Sequence, residues 1–110
     1  GFVFPTDNVV VAGMAVVLRT TVPAHQVTVS GDMGSLAAGC TAAMTVDYYK
    51  LGLQAAQLGA DILEGRTTAA ETPIGVQDVK NPTFNVTAMK RLGLEIPEDL
   101  KAGALLWQKK

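Results

Sequence analysis

Three short polar clusters carry the side chains that could do chemistry: Thr6-Asp7-Asn8, Ser30-Gly31-Asp32 with Met33 behind it, and Thr45-Val46-Asp47. In each, a carboxylate follows an apolar run. Such a carboxylate can accept hydrogen bonds from the first free N–H groups of a helix, a cap whose loss costs about 1 kcal/mol. It can also face a small polar ligand, while the unpaired N–H groups of the helix start suit an anionic group such as a carboxylate. Both roles stay open for Asp7 and Asp47. Asp32, in a glycine-rich loop, reads first as a solvated turn residue.

Little else in the chain suggests catalysis. His25 is the single histidine and stands just before a strand, with no Ser or Cys partner that its position supports. A small α/β enzyme would need a base that this sequence does not offer. Cys40 is the single cysteine, which excludes an internal disulfide and a cysteine metal site; in its apolar surroundings it reads as a small core residue. Gly31-Asp32-Met33-Gly34 lacks the spacing and the Lys-Ser/Thr ending of a phosphate loop. Asn85-Val86-Thr87 matches a glycosylation acceptor but reads better as a helix cap. No metal or cofactor is expected.

Composition narrows the partners. The 110 residues suffice for one core, and apolar residues make up 48% against 17% charged, a balance that excludes disorder. The formal net charge is −1, so there is no electrostatic case for nucleic acid or an anionic membrane. Val9 to Leu18, at ten residues the longest apolar run, is too short to span a bilayer. Gly1-Phe2-Val3-Phe4-Pro5 has no basic n-region and reads as the end of a strand, so a fragment of something longer is expected.

The elements that must position the clusters follow from pattern. Phe2-Val3-Phe4 is a short buried strand closed by Pro5. After Thr6-Asp7-Asn8 a helix is preferred from Val9 or slightly earlier, ended by Val22-Pro23, although Val9-Val10-Val11 also suits a strand. Gln26 to Val29 alternates as a strand does. Ser30 to Gly34 is loop, and Ser35 to Gly39 gives one short helical turn. Cys40 to Val46 suits a strand covered on both faces. Leu51, Ala55, Leu58 and Ile62, with Tyr48 extending the stripe, set the apolar face of a helix from Asp47 to Glu64, stopped by Gly65. Pro73 to Gln77 is extended, Lys80-Asn81-Pro82 turns, and Thr83-Phe84 is short and extended. Asn85 caps a helix closed by Gly93. A last helix opens at Ile96-Pro97-Glu98-Asp99 and runs towards Trp107, with Gln108-Lys109-Lys110 fraying. Strands alternating with helices imply an α/β fold with a parallel sheet between helix layers. Ligands gather at the carboxyl ends of such strands, where all three polar clusters would lie.

At Asp47-Tyr48-Tyr49-Lys50-Leu51-Gly52, followed by Gln54-Ala55-Ala56, the chain resembles the ABC-transporter substrate-binding proteins of the tryptophan/tyrosine-uptake type, of the type I periplasmic-binding-protein fold. Further pieces resemble the family in the right order: Pro5-Thr6-Asp7-Asn8, Gly39-Cys40 with the small residues after it, Ile62-Leu63-Glu64-Gly65, and Asn85, Ala88, Arg91-Leu92-Gly93 and Ile96-Pro97-Glu98-Asp99-Leu100. The sequence departs from the pattern at Thr45, where glycine is usual, at Ser30 to Gly34, and at Thr83-Phe84.

The resemblance implies a non-enzymatic, two-lobed solute-binding protein that closes on a small amino-acid-like, possibly aromatic, ligand and delivers it to ABC permease subunits in the membrane. It implies a periplasmic or extracytoplasmic lipoprotein. Residues 1–71 would form most of the C-terminal lobe of a three-layer α/β sandwich, and residues 72–110 the interlobe crossover segments and terminal helices. The N-terminal lobe would be missing, leaving a cleft face that a homodimer of the fragment could cover. Thr6, Asp7, Asn8, Asp32, Met33, Thr45, Val46 and Asp47 would meet the ligand, with Asp7 or Asp47 taking its ammonium and helix N–H groups its carboxylate. A ligand-sensing regulatory domain of the same fold, in a receptor or repressor, is the alternative, and what precedes Gly1 would tell them apart.

Overall fold

The computed structural model describes residues 1–79 and 81–108. In chain order these form β1 (Phe2–Phe4), α1 (Asn8–Thr21), β2 (Thr28–Ser30), α2 (Met33–Ala38), β3 (Ala42–Ala43), α3 (Tyr48–Leu63), β4 (Thr83–Asn85), α4 (Val86–Leu92), α5 (Glu98–Lys101) and β5 (Leu105–Trp107). They fall into two units, Gly1–Thr45 with Val79–Lys110, and Val46–Asp78.

The first unit is built on a five-stranded sheet in the order β1-β2-β3-β4-β5. β1, β2 and β3 run parallel, β4 is antiparallel to β3, and β5 is parallel to β4. The α/β expectation holds, with one antiparallel junction in the otherwise parallel sheet. Because β1 to β3 share one direction, their carboxyl ends, and the loops that follow, lie along one edge.

Side chains alternate across the sheet, and the registers assign them to faces. Val29, Ala42 and Phe84 are register partners in one row. With Met89 of α4, and with Ile96 and Ala104, they form one core cluster. Phe4, adjacent to that row, belongs to the opposite face. There it packs with Met14 and Leu18 of α1 and with Cys40, joined by Val10, Val17 and Val22. The spacing of Val10, Met14, Val17 and Leu18 is the apolar stripe of a helix, and it decides against the strand reading of Val9-Val10-Val11. Inside this face Thr28 and Thr41 exchange bonds, each hydroxyl accepting from the other's backbone N–H at 3.2 Å.

The second unit is α3 and the chain that returns beside it. Asp47 caps α3 at its start, and Gly65, in the left-handed conformation, follows the Glu64 cap at its end. Arg66 turns back to close the helix end, donating from Nε to Asp61 Oδ1 at 2.8 Å and pairing with Glu64.

Several elements differ from the sequence reading. β1 is a sheet edge rather than a buried strand, and Val3 is 80% exposed. α2 begins at Met33 and not at Ser35, since Asp32 caps it. β3 has only two ladder residues, but Thr41 N and Met44 N still bond the carbonyls of Thr28 and Ser30. Tyr48 is 61% exposed and no residue of α3 is buried. The helix towards Trp107 stops at Lys101, and Leu105–Trp107 is instead β5. Gly103 interrupts the helix, and a three-residue apolar run gains more from the β4 ladder than from an isolated turn. Lys80, Lys109 and Lys110, placed above in a turn and a fraying end, lie outside the described residues.

Candidate functional site

Two loops at the carboxyl edge of the sheet are locked together. After β1, Thr6 Oγ1 donates to the Gly31 carbonyl at 2.8 Å. A Cβ on Gly31 would lie 2.5 Å from Thr6 Oγ1 and 3.0 Å from Thr6 N, so this approach requires glycine. Asp7 is extended, with φ −144° and ψ 132°. Its Oδ1 accepts from Val9 N at 2.9 Å and Val10 N at 3.0 Å. Thr6, Asp7 and Asn8 are all exposed.

The second loop is tighter. Asp32 is 7% exposed and spends both carboxylate oxygens on Ser35. Oδ1 accepts from Ser35 N and Oδ2 from Ser35 Oγ, each at 2.7 Å, short distances that mark charge-assisted bonds. Ser30 Oγ donates to the Asp32 carbonyl at 3.0 Å, closing the loop from β2. Asp32 is therefore a buried helix cap rather than a solvated turn residue. Met33 follows it, half-buried, as the first residue of α2.

The third cluster straddles the unit boundary. Thr45 closes the first unit after β3; Val46 and Asp47 open the second. Thr45 and Val46 are half-buried and Asp47 is exposed. Asp47 Oδ1 accepts from Lys50 N at 3.1 Å, and Lys50 Nζ stands 3.8 Å from Oδ2. At that exposure the ion pair is worth little, and Oδ2 stays open to solvent. Tyr48 and Tyr49, both exposed, follow at the start of α3.

Sequence reasoning missed Ser35 and Gln77. Ser35, fully buried, stands three residues after Asp32, the position whose backbone N–H an N-cap side chain takes. Gln77 bonds Asp47 from 30 residues away, and no local pattern announces it. Other candidates resolve as structure. Cys40 is fully buried, its thiol donating to Met14 Sδ at 3.5 Å, and burial pushes the thiol's pKa up. Asn85 is 3% exposed; its Oδ1 accepts from Ala88 N and its Nδ2 donates to the Leu36 carbonyl, which makes it a cap and a tie to α2. Among the described residues no group of three or more His, Cys, Asp or Glu is placed to hold a metal ion. Among them also, no helix is long and apolar enough to cross a membrane.

The sequence pattern of the family described as ABC transporter substrate binding protein matches residues 1–106. The chain belongs to that family. Its members are binding proteins, which agrees with the resemblance drawn from the Asp47-Tyr48-Tyr49 region. A tyrosine-binding protein from Clostridioides difficile (strain R20291) is 29% identical over 91 residues, which are 83% of this chain and 26% of that protein. Among solved structures, a conserved domain protein from Vibrio cholerae O1 biovar El Tor is 28% identical with a TM-score of 0.75, over 97% of this chain and 36% of that one. The ligand-free, open structure of a substrate-binding protein with adhesive properties from Clostridium difficile gives a TM-score of 0.78 at 24% identity, over 98% and 36%. An ABC domain from Streptococcus pneumoniae in complex with L-Trp gives 0.77 at 22%, over 94% and 35%. These likenesses establish the fold as that of the substrate-binding proteins. The chain spans about a quarter to a third of the length of these relatives.

Proposed function

We propose that this chain is most of the C-terminal lobe of a two-lobed solute-binding protein that takes up an amino-acid-like, aromatic ligand for an ABC transporter. The observation that carries the reading is the 29% identity to a tyrosine-binding protein over 83% of the chain, within a family match that spans residues 1–106. The geometry supports it: Asp7 and Asp47 cap their helices through Oδ1 alone. Oδ2 of Asp7 is left for a ligand ammonium, and Oδ2 of Asp47 would take it in place of its weak, exposed contact with Lys50 Nζ, while the neighbouring helix N–H groups favour the ligand's carboxylate.

In this reading Thr6, Asp7, Asn8, Thr45, Val46 and Asp47 meet the ligand. Asp32 and Met33 shape the second loop, Asp32 acting through the cap it makes. Residues 72–110 carry the crossover between lobes and the closing elements. The partners are the small molecule, the N-terminal lobe and the permease subunits; the protein acts outside the cytoplasm, held as a lipoprotein, and catalyses no reaction. The 110 residues alone bind weakly, because affinity needs preorganised contacts from both lobes, and two copies of this fragment pair through the uncovered cleft face.

Calorimetric titration of the full-length protein with L-tyrosine, L-tryptophan and L-phenylalanine tests the reading. Saturable heat with at least one of them is expected. No heat with any removes the aromatic ligand, and micromolar binding by these 110 residues alone removes the missing-lobe picture.

A further inference from the structure

Asp47 is gripped by a side chain that the cap does not need. Gln77 Oε1 accepts from Asp47 N at 3.1 Å, and Gln77 Nε2 donates to the Asp47 carbonyl at 3.0 Å. One carboxamide thus takes both main-chain polar groups of one residue, as a neighbouring strand would. The assignment of its oxygen and nitrogen follows from the pair itself, since the flipped amide would set donor against donor and acceptor against acceptor. With Oδ1 committed to Lys50 N, the conformation of Asp47 is fixed from three sides, and Oδ2 meets only the exposed Lys50 ammonium at 3.8 Å.

The segment bearing Gln77 passes close to α3. A Cβ on Gly75 would lie 2.6 Å from Gln54 Nε2 and 3.5 Å from Leu58 Cδ1. The chain at Gly75 therefore runs close against the Gln54 side chain of α3, and two residues on Gln77 reaches the helix start. Residues 73–78 are the last part of this unit before the chain continues to β4.

We propose that Gln77 is a positioning residue: its carboxamide aims the Asp47 carboxylate at the ligand's ammonium and ties the segment leading to β4 to the ligand-side start of α3. This rests on the reading of Asp47 as a ligand-binding residue. A displacement of the crossover segment then reaches Asp47 through two hydrogen bonds rather than through 30 residues of chain.

The test uses the full-length protein with L-tyrosine and L-tryptophan as probes. Gln77→Ala is expected to weaken whichever amino acid the native protein binds by roughly tenfold, the equivalent of two ordinary hydrogen bonds partly replaced by water. Amide exchange at Asp47 in the ligand-free protein should quicken in step. Gln77→Glu separates positioning from packing. It fills the same space but cannot donate to the Asp47 carbonyl while ionised, and it regains a donor when protonated. Its affinity deficit relative to the native protein should therefore shrink as pH falls from 7 towards the glutamate range near ~4.3. Native-like affinity of Gln77→Ala overturns the proposal, as does a Gln77→Glu deficit that ignores pH. A native protein that binds neither amino acid sinks the ligand reading instead, and the Asp47 amide then reports whether the clamp exists without a ligand role.

Discussion

Asp32 and Asp47 stand in the same kind of place, each the extended residue that caps a helix at the end of a strand-bearing segment. Their surroundings separate them. Asp32 is buried and both its oxygens are spent on Ser35. Asp47 is exposed, bonds Lys50 N through one oxygen, and has its backbone held by Gln77. Burial without free acceptors makes a carboxylate a structural part; a fixed backbone, with a second oxygen that meets only an exposed Lys50 ammonium at 3.8 Å, is what the proposed ligand role of Asp47 requires. Asp7 resembles Asp47, being exposed with a single oxygen in the cap. Helix capping and ligand binding are thus not rivals at these positions, because a carboxylate has two oxygens to divide between them.

The contrast can be broken most sharply at Asp32. Asp32→Ala leaves Ser35 N and Oγ unpaired in a buried loop, and two charge-assisted bonds are lost, so a destabilisation of about 3 kcal/mol is expected in urea unfolding. A cost no larger than that of Asp7→Ala would erase the distinction. Next is Asp47→Asn, which keeps the acceptor for Lys50 N and removes the charge. L-tyrosine affinity of the full-length protein should fall by about tenfold or more, while the unfolding free energy stays within about 0.5 kcal/mol of native. Unchanged affinity would return Asp47 to the structural class. Asp7→Ala should cost about 1 kcal/mol, the ordinary value of an exposed cap, measured in the same unfolding experiment.

The smallest effect concerns a fourth acid, Asp61, whose partners are all in its own helix end. Hydrogen bonds from Arg66 and then Gln57 hold its carboxyl below the ordinary range. Its contribution to stability is therefore present above the unfolded carboxylate pKa and is lost as pH falls through the lower folded value. NMR titration should find Asp61 below a free aspartate in the native protein and displaced upwards in Arg66→Ala. An Asp61 that titrates normally would remove this pairing as a feature of the helix end.

How much was legible depends on whether the signal was local. α3 was readable nearly to the residue, from Asp47 through Leu51, Leu58 and Ile62 to Gly65, because periodicity and caps are written in consecutive residues. Asn85 and Gly93 bracketed α4 for the same reason. What could not be read depended on distant pairing. β5 exists only because Leu105, Leu106 and Trp107 align with Thr83, Phe84 and Asn85, and β4 turns antiparallel after a long excursion that leaves no mark on its own three residues. At the site, the identity of the aspartates was visible but their commitment was not. Ser35 decides Asp32 at a spacing that can be recognised, whereas Gln77 reaches Asp47 across 30 residues.

The most direct measurement is a structure of the full-length protein with L-tyrosine bound. The ligand's ammonium is expected about 3 Å from Oδ2 of Asp47 or Asp7, with Asp32 still turned onto Ser35. An ammonium held by other groups, with Asp7 and Asp47 both left in solvent, would contradict it.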